Sequence, residues 1–255
     1  MRFFKTEAIV LRSFDFGETD RLVILYSKKY GKLRAVAKGV RKPHSKFGPA
    51  LEAFSNNEVM LYKKENDEVY RITGFNAKST YAKLIRDLDM YIASSYVVEI
   101  VNMMTEEHEP HRDIYKLLED TLEMLPENDA ETVILSFVLK FFSRSGYGLC
   151  LDRCVLCEVL PRRVNRQVRF SPGHGGIICQ KCDGSGKGTI SVPWEYIDCL
   201  RQLESRPFSE LCSIKIQEAQ KKAIKDMLDS YMRFHLSYEL KTDRFARQLK
   251  HQGDL

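Results

Sequence analysis

Glu7-Ala-Ile-Val-Leu-Arg12, Arg21-Leu-Val-Ile-Leu-Tyr26 and Leu33-Arg-Ala-Val-Ala-Lys38 are short apolar runs separated by Asp15-Phe-Gly17 and Lys29-Tyr-Gly-Lys32. Runs of this length, rich in β-branched residues and bounded by turn residues, read as strands. Glu58-Val-Met-Leu-Tyr62 and Glu68-Val-Tyr-Arg-Ile-Thr73 add two more, with Lys42-Pro43 and Glu65-Asn-Asp67 in the intervening loops. Five short strands within residues 1–80 suit a small closed barrel, because closure leaves no free sheet edge. The OB-fold is the leading arrangement, and an SH3-like barrel fits the pattern almost as well.

After Ser79 the apolar period changes. Leu84, Leu88, Tyr91, Ile92, Ser95 and Val98 follow helical spacing and predict a helix over 80–104. Ile114, Leu117, Leu118, Thr121, Leu122 and Leu125 predict a second, ending before Pro126. Asn128 and Glu131 have capping-box spacing and open a third, which runs to Arg144 and stops at Gly146. It is apolar nearly all round, so it belongs at the centre of a helical bundle. Ser191-Val-Pro193-Trp194 reads as a helix start with proline in the first turn, and helices are expected over about 193–204 and 214–237. The fold class expected is therefore α+β multidomain: an OB-fold domain at 1–80 and a helical domain at 81–255. A cysteine-bearing insertion at about 150–190 interrupts the second.

The 255 residues are 44% apolar and 29% charged, with 14 Gly and 8 Pro, which excludes collagen-like, low-complexity and disordered chains. Met1-Arg-Phe-Phe-Lys5 opens no apolar signal segment, and Val133–Phe142 is too short to span a bilayer, so a cytoplasmic protein is expected. Charge is segregated: net +7 over 1–80, −7 over 81–150 and +5 over 151–255. Two basic regions flank an acidic one, a distribution suited to polyanion binding.

Cys154-Val-Leu-Cys157 and Cys179-Gln-Lys-Cys182 are two C-x2-C knuckles separated by 21 residues. Together they supply four thiolates for one tetrahedral zinc, and a four-thiolate site is structural because it leaves no open position. Cys150, Cys199 and Cys212 read as small packed residues, and His174 as a reserve ligand at most. Gly184-Ser-Gly-Lys-Gly-Thr189 imitates a phosphate-binding loop, but Lys181 stands where its first glycine belongs and Gly188 where Ser or Thr is needed. Asp15-Phe-Gly17 is a turn, since no kinase catalytic loop accompanies it. No paired carboxylates, nucleophile–base pair or Cys-His couple points to catalysis.

The strongest binding signal is Lys28 to Lys46, which carries Lys28, Lys29, Lys32, Arg34, Lys38, Arg41, Lys42 and Lys46 and no acid. Arg34 and Lys38 share a strand face, with Arg41, Lys42 and Lys46 on the following loop. Such a stripe can contact several phosphates. Tyr26, Tyr30 and Phe47 lie close enough in sequence to stack bases. Arg162, Arg163, Arg166 and Arg169 form a second basic cluster between the knuckles.

Ala8-Ile-Val-Leu-Arg12, Gly17-Glu-Thr-Asp-Arg-Leu22, Gly31-Lys-Leu-Arg-Ala-Val-Ala-Lys-Gly39 and Ser45-Lys-Phe-Gly-Pro-Ala-Leu-Glu-Ala-Phe54 resemble the RecO recombination mediators of bacteria. Leu151-Asp-Arg-Cys-Val-Leu-Cys157, Phe170-Ser-Pro and Gly175-Gly-Ile-Ile-Cys179 extend the resemblance, and Leu240-Lys-Thr-Asp-Arg-Phe245 is similar to the family's Leu-Lys-Ser ending. The resemblance implies an OB-fold, a helical domain, an inserted zinc module and no nucleotide hydrolysis. It implies binding to single- and double-stranded DNA, annealing, and engagement of the acidic tail of the single-strand-binding protein SSB. It also implies partnership with RecR and, indirectly, with the RecA filament, at the nucleoid. Lys221, Lys222 and Lys225 are the expected rim of the SSB-tail pocket. The competing reading is a zinc-ribbon nucleic-acid-binding regulator without annealing activity.

Overall fold

The computed structural model describes residues 2–40, 42, 51–64, 67–79, 81–161, 163, 166–184, 188–235, 240–242 and 244–245. Two compact units divide the chain, one of residues 1–126 and one of residues 127–244. The change from strands to helices near residue 80 thus lies inside the first unit.

The first unit is built on β1 (Arg2–Phe16), β2 (Asp20–Ser27), β3 (Gly31–Ala37), β4 (Asn56–Lys63) and β5 (Tyr70–Ser79), closed in the order β1-β2-β3-β5-β4. Only β3 and β5 run parallel. This is the OB-fold barrel. Closure depends on the length of β1, which pairs with β4 along Arg2–Ile9 and with β2 along Ala8–Phe16. A bulge between Val10 and Arg12 bends the strand where it changes partner. The two-residue alternation then sends Ala8, Val10, Val23, Leu25, Leu33, Ala35, Val59, Leu61 and Ile72 into the interior.

The helix predicted over 80–104 is two: α1 (Ala82–Arg86) and α2 (Leu88–Met104). Asp87, in extended backbone, breaks the run and caps α2 by accepting the Met90 amide at 3.1 Å. The loop after α2 closes on the start of β3, where the His108 amide donates to the Lys32 carbonyl at 3.1 Å. Gly31 has φ +66°, and a Cβ there would overlap the Glu109 carbonyl, so only glycine admits this approach. α3 (Arg112–Met124) ends in a single 3-10 turn containing Pro126.

In the second unit α4 (Ala130–Arg144) is buried at ten positions, as its all-round apolarity requires. Its cap is Asp129, one residue beyond the expected Asn128, and it accepts from the Thr132 amide at 3.0 Å. The segment expected to lack regular structure folds into β6 (Gln167–Ser171), β7 (Gly176–Ile178) and β8 (Ile190–Pro193), ordered β7-β6-β8. Ser191–Pro193 therefore belongs to a strand rather than to a first helical turn. Pro193 is the N-cap of α5 (Trp194–Ser205). A 3-10 helix over Phe208–Ser213 precedes α6 (Glu218–His235), which begins four residues later than its apolar pattern suggests. Lys140, 7% exposed, closes the end of α5 by donating to the carbonyls of Glu204 and Arg206 (2.6 Å to the latter).

Candidate nucleic-acid interface and metal centre

The outer face of the barrel is half covered. At the Ile9–Tyr26–Lys32 row the loop and helices close over the strands: Ile9 and Tyr26 are fully buried, and the Lys32 ammonium donates to the Asn102 carbonyl at 2.6 Å. Burial lowers the Lys32 pKa despite nearby Glu106 and Glu107. Tyr26 is accordingly no base-stacking residue; burial pushes its hydroxyl well above the usual phenol range. Tyr30 is half-buried and packs on Phe4, with ring centroids 4.5 Å apart.

The next rows are open at Arg12, Phe14 and Arg34 and half-buried at Leu22 and Ile24, while Val36 stays buried. Arg12 pairs across to Ile24 and Ile24 to Arg34, and one step on Phe14, Leu22 and Val36 align in the same way. Strand spacing sets the Arg12 and Arg34 backbones about 10 Å apart. Arg12 stacks its guanidinium 4.7 Å from the Phe14 ring centroid, and Phe14 and Phe16 are 38% and 52% exposed. Lys38 and Lys42 are exposed beyond the end of β3.

The acid-free stripe of the sequence is not acid-free in space. Arg34 pairs with Glu107 at 2.9 Å, and Lys28 pairs with Glu7 at 3.2 Å. The hydrogen bond from Lys78, reinforced by Lys28, keeps the Glu7 carboxyl below its ordinary range. The Arg34 side chain remains 52% exposed, so its pair is a screened surface contact that a phosphate can displace. Of the other expected residues, Arg41, Lys46 and Phe47 lie outside the described residues. Sequence reading missed Arg12, Phe14 and Phe16, although their two-residue alternation beyond Val10 was the available signal.

The four knuckle cysteines converge: the Sγ atoms of Cys154, Cys157, Cys179 and Cys182 all lie within 4.8 Å of one another. Cys157 and Cys179 are 3.7 Å apart, close to the roughly 3.8 Å edge of a tetrahedron with 2.3 Å metal–sulfur bonds. The set is positioned to hold one metal ion. Backbone geometry makes it. Cys154 donates its amide to Val159 at 2.9 Å, Glu158 takes a left-handed φ of +59°, and Cys179 donates its amide to the Cys154 sulfur at 3.3 Å. Burial pushes the Cys154 thiol up, but the amides of Cys179, Leu156 and Cys157 outweigh it and bring the pKa down to about 6. Hydrogen bonds with Cys157 and Cys179 push Cys182 up to about 12. Gly176 lets β7 approach the segment that follows α4, since a Cβ there would stand 2.6 Å from the Cys150 carbonyl oxygen.

The second basic cluster is mostly committed. Arg163 holds Asp198 with two bonds of 2.8 and 2.7 Å and lies 4.8 Å over the Trp194 ring, while Arg169 pairs with Asp183 at 3.0 Å. Arg166 is exposed, and Arg162 lies outside the described residues. On α6, Lys221 is buried, with its ammonium 2.9 Å from Asp129 and 3.0 Å from Glu218. Lys222 is exposed and Lys225 half-buried.

Comparison with known proteins shows the family of the chain. The profile of the family described as Recombination protein O N terminal matches residues 1–81, and that described as Recombination protein O C terminal matches residues 85–244. The chain belongs to the RecO family. It is similar to the DNA repair protein RecO of Pelotomaculum thermopropionicum, 31% identical over 252 residues, which span 97% of this chain and 96% of that one. The DNA repair protein RecO of Desulforamulus reducens is 30% identical over 249 residues, with 98% and 96% covered. RecO membership places the chain in DNA repair and recombination. Among its described residues no helix is long and apolar enough to cross a membrane.

Proposed function

We propose that this RecO chain is a non-enzymatic recombination mediator. In this reading it binds single- and double-stranded DNA without reading sequence and anneals complementary SSB-coated strands. It engages the acidic SSB tail, acts with RecR to promote RecA loading, and works in the cytoplasm at the nucleoid. The observation that carries the reading is the open half of the barrel face, where Arg12, Arg34 and Lys38 stand beside exposed Phe14 and Phe16. Cations hold phosphates and aromatic rings accept any base, so the face grips a strand without specifying it. Residues 1–80 are then the DNA-binding domain, with Lys42 prolonging the path, and residues 81–255 the helical domain with its insertion. Arg166 offers a second phosphate contact, which annealing can use because two polyanions must be neutralised together.

Zinc is the ion that suits four thiolates, held by Cys154, Cys157, Cys179 and Cys182. Bound there, it would cross-link the two knuckles through Cys154, Cys157, Cys179 and Cys182, a structural role.

The test is annealing of two complementary strands, each pre-coated with SSB, with and without the protein and in the absence of ATP. Acceleration is expected. Tight binding to naked DNA without acceleration would replace this reading with that of a zinc-bearing nucleic-acid binder.

A further inference from the structure

The four knuckle sulfurs are not equivalent. Cys154 is fully buried, and its sulfur accepts the Cys179 amide at 3.3 Å. Cys157 is exposed, while Cys179 and Cys182 are half-buried. A groove of about 960 Å³ opens beside them along Val159, Leu160 and Ile178, and the cysteines that line it are Cys157 and Cys179. Val159 and Leu160 are 60% and 72% exposed, so nothing closes its mouth among the described residues. Cys157 belongs to the first knuckle and Cys179 to the second, and their sulfurs stand 3.7 Å apart. Solvent therefore reaches one sulfur of each knuckle, and those two already touch.

We propose that Cys157 and Cys179 form an oxidative modification site, at which a hydroperoxide joins the two knuckles through a disulfide. The Cys157 sulfur attacks one oxygen of hydrogen peroxide; an S–O bond forms, the O–O bond breaks and hydroxide leaves. The Cys179 sulfur then attacks the Cys157 sulfur; an S–S bond forms, the S–O bond breaks and a second hydroxide leaves. Two protons from solvent turn the hydroxides into water. The sulfur pair has lost two electrons and the peroxide has gained them. An S–S bond is about 2.05 Å long, so the two sulfurs need to close by only about 1.7 Å.

The product differs from simple loss of the site. Two of the four donors are no longer available to a metal ion, yet the new bond still spans the two knuckles. One cross-link replaces another, and a thiol reductant restores the four donors. This rests on the reading that the four sulfurs hold zinc. Cys212, exposed with its sulfur 3.9 Å from the Ser209 carbonyl oxygen, lies outside the cluster and serves as the internal control.

The test treats the full-length, zinc-bearing chain with hydrogen peroxide. A chromogenic chelator follows zinc release, and mass spectrometry of non-reduced digests locates the disulfides. The chain should release one zinc ion for each Cys157–Cys179 disulfide formed, and dithiothreitol with added zinc should reverse both. A metal-held sulfur is thiolate, whereas a free thiol is only a few per cent so at neutral pH. Cys157 should therefore be consumed on the order of tenfold faster than Cys212. Cys212→Ser should leave the rate of zinc release unchanged. The oxidised chain should also melt above the same chain stripped by a chelator, because its knuckles remain joined. Disulfides within a knuckle, Cys154–Cys157 or Cys179–Cys182, would overturn the proposal, as would zinc that stays bound while Cys212 is oxidised. Equal melting of the oxidised and stripped chains would refute the replacement of one cross-link by the other. A purified chain without zinc would overturn the metal reading alone, since the position of the disulfide still decides the modification site.

Discussion

Replacing Arg12, Arg34 and Lys38 together by Ala should flatten the salt dependence of single-strand binding. All three lie on or just beyond the open rows of the barrel, and none supports the interior. Each phosphate contact contributes about 0.7 to the slope of log affinity against log salt on a single strand, so losing three lowers it by about 2. Between about 50 and 200 mM salt the variant should then lose roughly 15-fold less affinity than the wild type does. The aromatic pair gives the opposite signature. Phe14→Ala and Phe16→Ala should each weaken binding by about 1–3 kcal/mol per lost stacked base and leave the slope unmoved. Arg34 must leave Glu107 to reach a phosphate, and a surface pair of this kind is worth up to ~1 kcal/mol. Glu107→Gln should accordingly tighten binding by up to about fivefold. Anisotropy of labelled oligothymidylate across a salt series measures all of these. A triple variant with the wild-type slope, or aromatic variants that change it, would refute the assignment of this face.

Cys154→Ser should lower metal content and melting temperature together, since it removes the ligand whose sulfur also receives the Cys179 amide; metal loss with unaltered melting would count against a structural ion. The Asp129 carboxyl is pushed up by burial, but the Thr132 hydroxyl and Lys221 ammonium outweigh this and hold it below the ordinary carboxylate range. A carboxyl with a depressed folded pKa contributes stability above its unfolded value near 3.8 and loses it as pH falls through the folded one. Melting curves of Asp129→Asn, which keeps a capping residue, should therefore show less acid destabilisation than the wild type, and equal acid sensitivity would contradict the assignment. Gly31→Ala should cost more than about 4 kcal/mol, because it adds overlap with Glu109 to left-handed strain, whereas Gly17→Ala, at the same φ of +66° with open space around it, should cost only about 1–2 kcal/mol. Chemical denaturation that ranks the two equally would remove the close approach at Gly31 as an explanation.

What was legible in the chain follows from which forces act locally. The barrel strands showed because each alternates against one interior, and the metal site showed because two knuckles fix their own ligand spacing. Helix breaks were less visible: Leu84 and Leu88 keep a single apolar period across Asp87, which nonetheless turns out to cap α2. The three-stranded sheet of the insertion was hidden because β7 has only three residues and its partners are set by the cysteine loops. Charge was read correctly along the chain but not across it. Arg34 and Glu107, or Lys28 and Glu7, become neighbours only after the barrel closes and the loop beyond α2 packs on β3. The functional face suffered in the same way: Tyr26 and Arg12 both point outward, and only the placement of the helices decides that one is roofed and the other open.

The division of β1 between two neighbours has a mechanical corollary. Only Ala8 and Ile9 are registered with both β2 and β4; everything before them is zipped to β4 and everything after them to β2. A pull applied at the amino end would unzip the β1–β4 seam first, two residues at a time, opening the cylinder into a sheet. The β1–β2–β3 ribbon that carries Arg12, Phe14 and Arg34 lies beyond that seam and would stay in register until the tear passed Ile9. A tether at the amino end is thus attached to the part of the barrel that can yield while the strand-gripping ribbon still holds.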